Sequence, residues 1–179
     1  ALKHAADPML HVFMTASQHQ IRQRLRMTEE AVMQRAEESV KQARGYVRNV
    51  EFTCDDALEA DRAFLVKLVR AVIEAGATVV NFSDTRGFGI PEDFADLVGF
   101  ITNEVPNIGR AEISVHARND LGLATANTLA AVKAGAEQVK TTVLGIGSKA
   151  GNAPLEEVLM ALKMNKDTYD VDVKADPSR

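Results

Sequence analysis

The sequence predicts an α/β fold built on a parallel sheet, and three observations carry that prediction. Short apolar runs alternate with segments of helical period along the whole chain. The alternation repeats five times, at intervals of about 30 residues, which is the spacing of parallel strands joined by crossover helices. Aromatic residues make up only 5% of the 179 residues, with no Trp, while Ala and Val are plentiful, as where helices pack on parallel strands.

The elements follow in order. Met9 to Thr15 (MLHVFMT) is the first predicted strand. Thr28 is a predicted N-cap followed by Glu29 and Glu30, acids that favour the first turn of a helix. Val32, Ala36, Val40 and Ala43 recur at helical spacing, and Gly45 stops that helix. Asn49 to Thr53 is the second strand. Its helix runs from about Asp61 to Glu74 with a stripe of Phe64, Leu65, Leu68, Val69 and Val72, and Gly76 ends it. Thr78 to Phe82 is the third strand. Pro91 opens the next helix, where its missing N–H costs nothing. Ala111 to Val115 is the fourth strand, followed by a helix from about Leu123 to Lys133. Glu137 to Val143 is the fifth strand, and Pro154 opens a last helix carrying Leu155, Val158, Leu159 and Leu162. Residues 1–167 are expected to form the domain and 168–179 a polar, frayed tail. A weak echo links the Ala-Gly-Ala segments around Gly76 and Gly135, two βα units apart, as in repetitive α/β architectures.

Composition excludes several function classes. No stretch approaches the ~18 apolar residues of a membrane span, and the single Cys54 excludes a disulfide scaffold. Lys and Arg number 21 against 25 Asp and Glu, a net charge of −4 with no concentrated basic run, so nucleic acid is not an expected partner. The opening Ala1-Leu2-Lys3-His4 has neither the basic head nor the apolar run of a secretory signal and reads as the tail of a helix. A cytoplasmic location is expected.

In parallel α/β folds, chemistry sits beyond the C-terminal ends of the strands. Polar and ionisable residues crowd every one of these ends: Thr15, Ser17 and His19, then Glu51, Thr53, Asp55 and Asp56. Asn81, Ser83, Asp84, Thr85 and Arg86 follow, then His116, Arg118, Asn119 and Asp120, and finally the glycine-rich run Gly145 to Asn152. One shared rim site is the expectation. Cys54 reads as a buried thiol, Asp55 and Asp56 as a solvated cap, and His11 and His19 as surface or rim groups. The Met residues (Met9, Met14, Met27, Met33, Met160, Met164) read as core filler.

These residues carry a resemblance. His116-Ala-Arg-Asn-Asp-Leu-Gly-Leu-Ala-Thr-Ala-Asn is similar to the His-x-His-Asn-Asp-x-Gly-x-Ala-x-x-Asn signature of the 2-isopropylmalate synthase and homocitrate synthase family. Gly145-Ile-Gly-Ser-Lys-Ala-Gly-Asn152 and the following Leu155-Glu-Glu157 resemble that family's glycine-rich turn. Val50-Glu51-Phe52, Asp84-Thr85 and Thr15-Ala-Ser17 through His19 resemble its other strand-end motifs. The resemblance implies a partial TIM barrel, with parallel βα repeats matching strands four to eight of a (β/α)8 barrel. It implies a metal-assisted Claisen condensation of acetyl-CoA with a 2-oxo acid. A divalent metal (Mg, Mn or Zn) would be the cofactor, with His116 and Asn152 as the ligands retained here. Glu51 and Thr85 would be catalytic, and Arg118, Gly147 and Ser17 would bind substrate or anion.

The departures from the family pattern matter equally. Arg118 stands where the second metal His belongs, and a guanidinium offers no lone pair to a metal. Leu144 replaces an Asn, Ser148-Lys149 a Glu-Arg pair, Glu59 an Arg, Ser83 a Pro, and Arg86 an apolar residue. Arg118 is expected to pair with Asp84, Asp120 or Glu51, and Glu51 with Arg86 or Arg118. The family's first three strands, with their metal Asp, have no counterpart, so a chain cut within the third helix is expected. Such a chain is expected to be inactive by itself and to associate through open sheet edges as a homo-oligomer. Two alternatives stand beside this reading: a non-catalytic, engineered or natural barrel scaffold, and an aldolase-type lyase of the same superfamily.

Overall fold

The computed structural model describes residues 2–173 and 175. Five parallel strands form one sheet in the order of the chain: β1 (Met9–Thr15), β2 (Asn49–Asp55), β3 (Val79–Ser83), β4 (Glu112–His116) and β5 (Gln138–Val139). Each connection crosses over through helices. After β1 come α1 (Gln18–Gln20), a π-helical turn (Ile21–Leu25) and α2 (Glu29–Arg44). Then α3 (Arg62–Ala75), α4 (Pro91–Glu104) and α5 (Ala124–Lys133) follow β2, β3 and β4, and α6 (Leu155–Met164) and α7 (Lys166–Tyr169) close the chain.

The predicted starts and stops hold where capping chemistry marks them. Thr28 accepts from the Ala31 N–H at 3.2 Å and Asp61 from the Phe64 N–H at 2.9 Å, satisfying donors that have no partner within the helix. Pro91 is the first residue of α4.

The register divides the sheet into two chemically distinct faces. His11 lies beside Glu51, Thr53 beside Asn81, Asn81 beside Ser114, and Ser114 beside Gln138. Successive side chains on a strand point to opposite faces. The face toward the helices therefore carries Val50, Phe52, Cys54, Val80, Phe82, Ile113 and Val115, all buried. Together with Phe64, Leu65, Leu68, Phe94, Leu97 and Ile101 from α3 and α4 they form the core. The other face is polar, and hydrogen bonds cross all five strands on it. His11 Nε2 meets Thr53 Oγ1 at 2.7 Å, and Asn81 Nδ2 donates to Thr53 Oγ1 at 3.0 Å. Ser114 Oγ donates to Asn81 Oδ1 at 2.9 Å, and Gln138 Nε2 donates to Ser114 Oγ and Glu51 Oε2, both at 3.1 Å.

Several expectations need correction. The fifth strand covers Gln138–Val139, not Glu137 to Val143. It pairs on one side only, and Thr142 already leaves the sheet to bond across to Ala153 and Leu155. The segment after Ser17 contains a π-helical turn that no apolar period announced. Met9, Met160 and Met164 are exposed and do not fill the core. The stretch after Asp167 is not simply frayed: Tyr169, Val171 and Val173 pack against the core. Residues 174 and 176–179 of that tail, and Ala1 at the other end, lie outside the described residues; Leu2–His4 form a 3-10 turn. No helix among the described residues is long and apolar enough to cross a membrane.

Candidate functional site

The last inward residue of each strand sets one edge of the site. Register places Thr15 beside Asp55, Asp55 beside Ser83, and Ser83 beside His116, and the Lys140 N–H bonds the Val115 carbonyl in the next position. The loops beyond bring the polar residues expected at the strand ends together on one rim.

At the β4 end, His116 Nε2 meets Asn152 Oδ1 at 2.8 Å. The contact depends on a tight loop. Arg118 and Asn152 form an antiparallel backbone bridge, and the Asn119 N–H donates to the Gly151 carbonyl at 3.0 Å. A Cβ at Gly147 would collide with the Asn152 amide, so only glycine lets the loop close over it. Burial pulls the His116 imidazole below the usual histidine value; the Asn152 hydrogen bond opposes this, and the charges of Arg118 and Lys140 add to it.

Arg118 donates to the Ser148 hydroxyl and carbonyl. It makes no ion pair with Asp84, Asp120 or Glu51 among the described residues, which corrects the expected pairing. Asp84 is spoken for otherwise, accepting from the Gly87 and Gly89 N–H groups at 2.8 Å each. Asp120 instead lies 3.8 Å from Lys149 Nζ, and Lys149 also donates to the Thr85 carbonyl at 3.0 Å. Glu51 pairs with neither Arg86 nor Arg118. Its partner is Lys140, with His11 Nε2 at 3.6 Å. Arg86 pairs with Glu59, so two of the departures from the family pattern compensate each other in charge.

At the β2 end, Asp55 is half-buried and Asp56 buried, which corrects the expected solvated cap. Burial raises both carboxyls above the usual range. The Asp56 charge adds to the rise at Asp55, and the Glu59 charge adds to it at Asp56. The Arg118 and Lys140 charges oppose the rise at Asp55 and the Arg86 charge opposes it at Asp56, as does the neighbouring Thr85 hydroxyl at both, which accepts from the Asp56 N–H at 3.3 Å. Ser17 is buried at the start of the loop after β1. Cys54 faces the helices, and burial pushes its thiol well up, so it is inert. Lys140 and Thr142 were not singled out by sequence. Lys140 had one available signal: in a strand through Gln138, position 140 points to the same face.

The donor set does not fit a divalent cation. His116 and Asn152 are two neutral donors already bonded to each other, Arg118 adds a fixed positive charge beside them, and no group of three or more His, Cys, Asp or Glu among the described residues is arranged to hold a metal.

Two predictions arise from this geometry. Leu144 is held at φ 57°, a left-handed conformation costly for a branched side chain and tolerated by Asn. Leu144→Asn is expected to raise stability by about 1 kcal/mol, read as a higher urea midpoint; an unchanged or lower midpoint refutes the strain. For His116, a lowered folded pKa means that the unfolded state takes up the proton first. Its contribution is whole above about pH 6.5 and is lost as pH falls toward the folded pKa. The urea midpoint should therefore drop between pH 8 and 5.5 by less in His116→Gln than in the wild type. Equal drops would show that the ring does not titrate differently on folding.

A parallel α/β sheet of barrel type, open along its polar face and with its polar residues gathered beyond the strand ends, defines the class. The chain belongs to the HMGL-like family, whose model matches residues 1–178. It is 48% identical over 179 residues, its full length, to a 2-isopropylmalate synthase of Ruminiclostridium cellulolyticum, covering 35% of that protein. It is 48% identical over 169 residues to a 2-isopropylmalate synthase of Aquifex aeolicus, covering 94% of this chain and 32% of that one. The chain thus spans about a third of the length of these curated relatives. Among solved structures, hydroxymethylglutaryl-CoA lyase from Pseudomonas aeruginosa superposes with a TM-score of 0.75 at 23% identity, over 92% of this chain and 58% of that one. That likeness bears on the fold alone.

Proposed function

We propose that the chain supplies the rim of an acyl-CoA-condensing barrel, in which the methyl carbon of acetyl-CoA is joined to the carbonyl carbon of a 2-oxo acid. The observation that carries this reading is the 48% identity to a 2-isopropylmalate synthase across the full chain. In this reading Arg118 holds the anionic substrate, with Ser17 and Gly147 shaping the flanking loops. His116 and Asn152 act as one hydrogen-bonded unit beside the carbonyl. Thr85 orients Asp55 and Asp56, whose raised carboxyls suit proton transfer from the methyl group. Glu51 is a positioning residue that holds Lys140. The condensation forms one C–C bond, and hydrolysis of the resulting thioester releases the thiol of coenzyme A.

The polar face is open: Phe13, on that face, is 65% exposed. We infer that turnover needs further strands to cover it. The test is thiol release from acetyl-CoA and 2-oxoisovalerate, with the chain alone and with the chain mixed with the preceding βα units of the Ruminiclostridium cellulolyticum relative. Release is expected only from the mixture. A silent mixture overturns the condensing function, and robust release by the chain alone overturns the need for a complement. The exposed Phe13 and the one-sided pairing of β1 also support a second reading, a scaffold that self-associates. Light scattering decides it, since a monomer at high concentration removes that reading.

A further inference from the structure

The signature that starts at His116 ends at Asn127, a residue of α5 that is 1% exposed. Its amide nitrogen donates to the Gly89 carbonyl at 2.8 Å, across 38 residues of sequence. Its amide oxygen is buried and has no hydrogen-bond partner among the described residues. A buried acceptor left unpaired is costly, and a leucine of similar volume would bring no such oxygen. Packing alone therefore does not account for Asn127; what the amide supplies is the bond to Gly89. Asp84 grips the same loop. Its carboxylate accepts from the Gly87 and Gly89 N–H groups at 2.8 Å each, and its own N–H bonds the His116 carbonyl at 3.1 Å. Gly89 is thus held at both its N–H and its carbonyl. Gly87, at φ 77°, makes the left-handed turn around the Asp84 carboxylate. Within this loop lies Thr85, whose hydroxyl accepts from the Asp56 N–H beyond the end of β2 at 3.3 Å.

We propose that Asn127 is a positioning residue: with Asp84 it fixes the loop of residues 85–89 so that the Thr85 hydroxyl stays against Asp56 at the end of β2. The other side-chain ties of this loop are exposed. Arg86 pairs with Glu59, and Lys149 donates to the Thr85 and Arg86 carbonyls, where solvent competes. The buried ties, from Asp84 and Asn127, therefore carry most of the fixation. Asn127 bonds the loop and acts through Thr85. A polar residue kept at a cost in burial, for the sake of a neighbouring loop, is what a site held in one geometry requires. That this geometry serves proton transfer rests on the function proposed above; the fixing of the loop does not.

Amide hydrogen exchange on the full chain tests this, read at Asp56 and along β2 and β3. Asn127→Leu should speed exchange of the Asp56 N–H about tenfold, the loss of roughly one hydrogen bond, and leave the earlier amides of β2 and β3 slow. Asn127→Asp has the same shape but no donor once ionised. It should lose the Asp56 protection at pH 8, relative to the wild type at the same pH. It should regain it as the pH falls and the carboxyl takes up a proton, and burial brings that point nearer neutrality. Thr85→Val should speed Asp56 exchange alike, and Asn127→Leu should add little to it. In the complemented barrel, Asn127→Leu should lower kcat about tenfold with KM within about twofold, as loss of an interaction made only in the transition state does. Circular dichroism confirms that each variant folds. Unchanged Asp56 exchange in both Asn127 variants, faster exchange spread evenly over β2 and β3, full additivity with Thr85→Val, or an unchanged kcat in an active barrel each overturns the proposal. Local loss of protection with a silent complemented barrel would leave the positioning standing and remove the condensing function. Unchanged protection beside active thiol release would do the reverse.

Discussion

Phe82→Ala is expected to lower the unfolding free energy by about 3–5 kcal/mol, the usual cost of emptying an aromatic site in a closed core. Phe82 sits on the central strand β3, fully buried on the face that meets the helices. Close packing leaves its neighbours little room to collapse into the space. A domain of ordinary stability holds about 5–15 kcal/mol in total, so this one change removes a large share. Phe82→Leu should cost markedly less. Urea denaturation at pH 8 reads both, and a loss below about 1 kcal/mol in the alanine variant would show that the site relaxes freely.

The second large effect is expected at Glu51, which is 4% exposed and touches Lys140, Gln138, Thr53 and His11. Glu51→Ala strands the Lys140 ammonium and leaves Gln138 with Ser114 as its one side-chain acceptor among the described residues. The cost is expected to be about 3 kcal/mol, the low end for breaking a buried pair, because the Lys140 side chain is still 28% exposed and partly solvated. Glu51→Gln keeps a hydrogen-bonding carbonyl oxygen and should lose roughly half as much. Adding Lys140→Met to Glu51→Ala should recover part of the loss, because the unpaired charge goes with it. If the double variant is less stable than Glu51→Ala by the full cost of a separate Lys140→Met change, the two residues are not coupled.

How much of this was legible follows from which forces are local. The α3 helix was readable because Asp61, the apolar stripe and Gly76 sit in one contiguous segment and act on that segment alone. The two-faced sheet was not read from the sequence, which took the strands as apolar runs, although in β2 Val50, Phe52 and Cys54 interleave with Glu51 and Thr53. The fifth strand was overextended because β-branched residues (Val139, Thr141, Thr142, Val143) continue through Val143, whereas strand length is set by the partner: β4 ends at His116 and, among the described residues, nothing pairs on the other side. At the rim, the positions of His116, Arg118 and Asn152 were legible but their partners were not. Arg118 had three acids of suitable sign in sequence. The closing of the glycine loop put Ser148 against it instead, while Gly87 and Gly89 had already taken Asp84. Partner choice among like candidates is decided by backbone geometry far away in sequence.

The strand order has a consequence for how the molecule opens. Each strand pairs its backbone only with its neighbours in the chain, so the ladder behaves as a one-dimensional stack, crossed on the polar face by the contacts of Gln138 and Lys140 with Glu51. Such a stack peels from its ends, and β5, two residues long, is the shallowest rung. Lys140 and Asn152 hang from that rung and its loop, and Arg118, in the loop after β4, is bridged to Asn152. Glu51, reaching from β2 to Gln138 and Lys140, therefore pins the end from which unzipping begins.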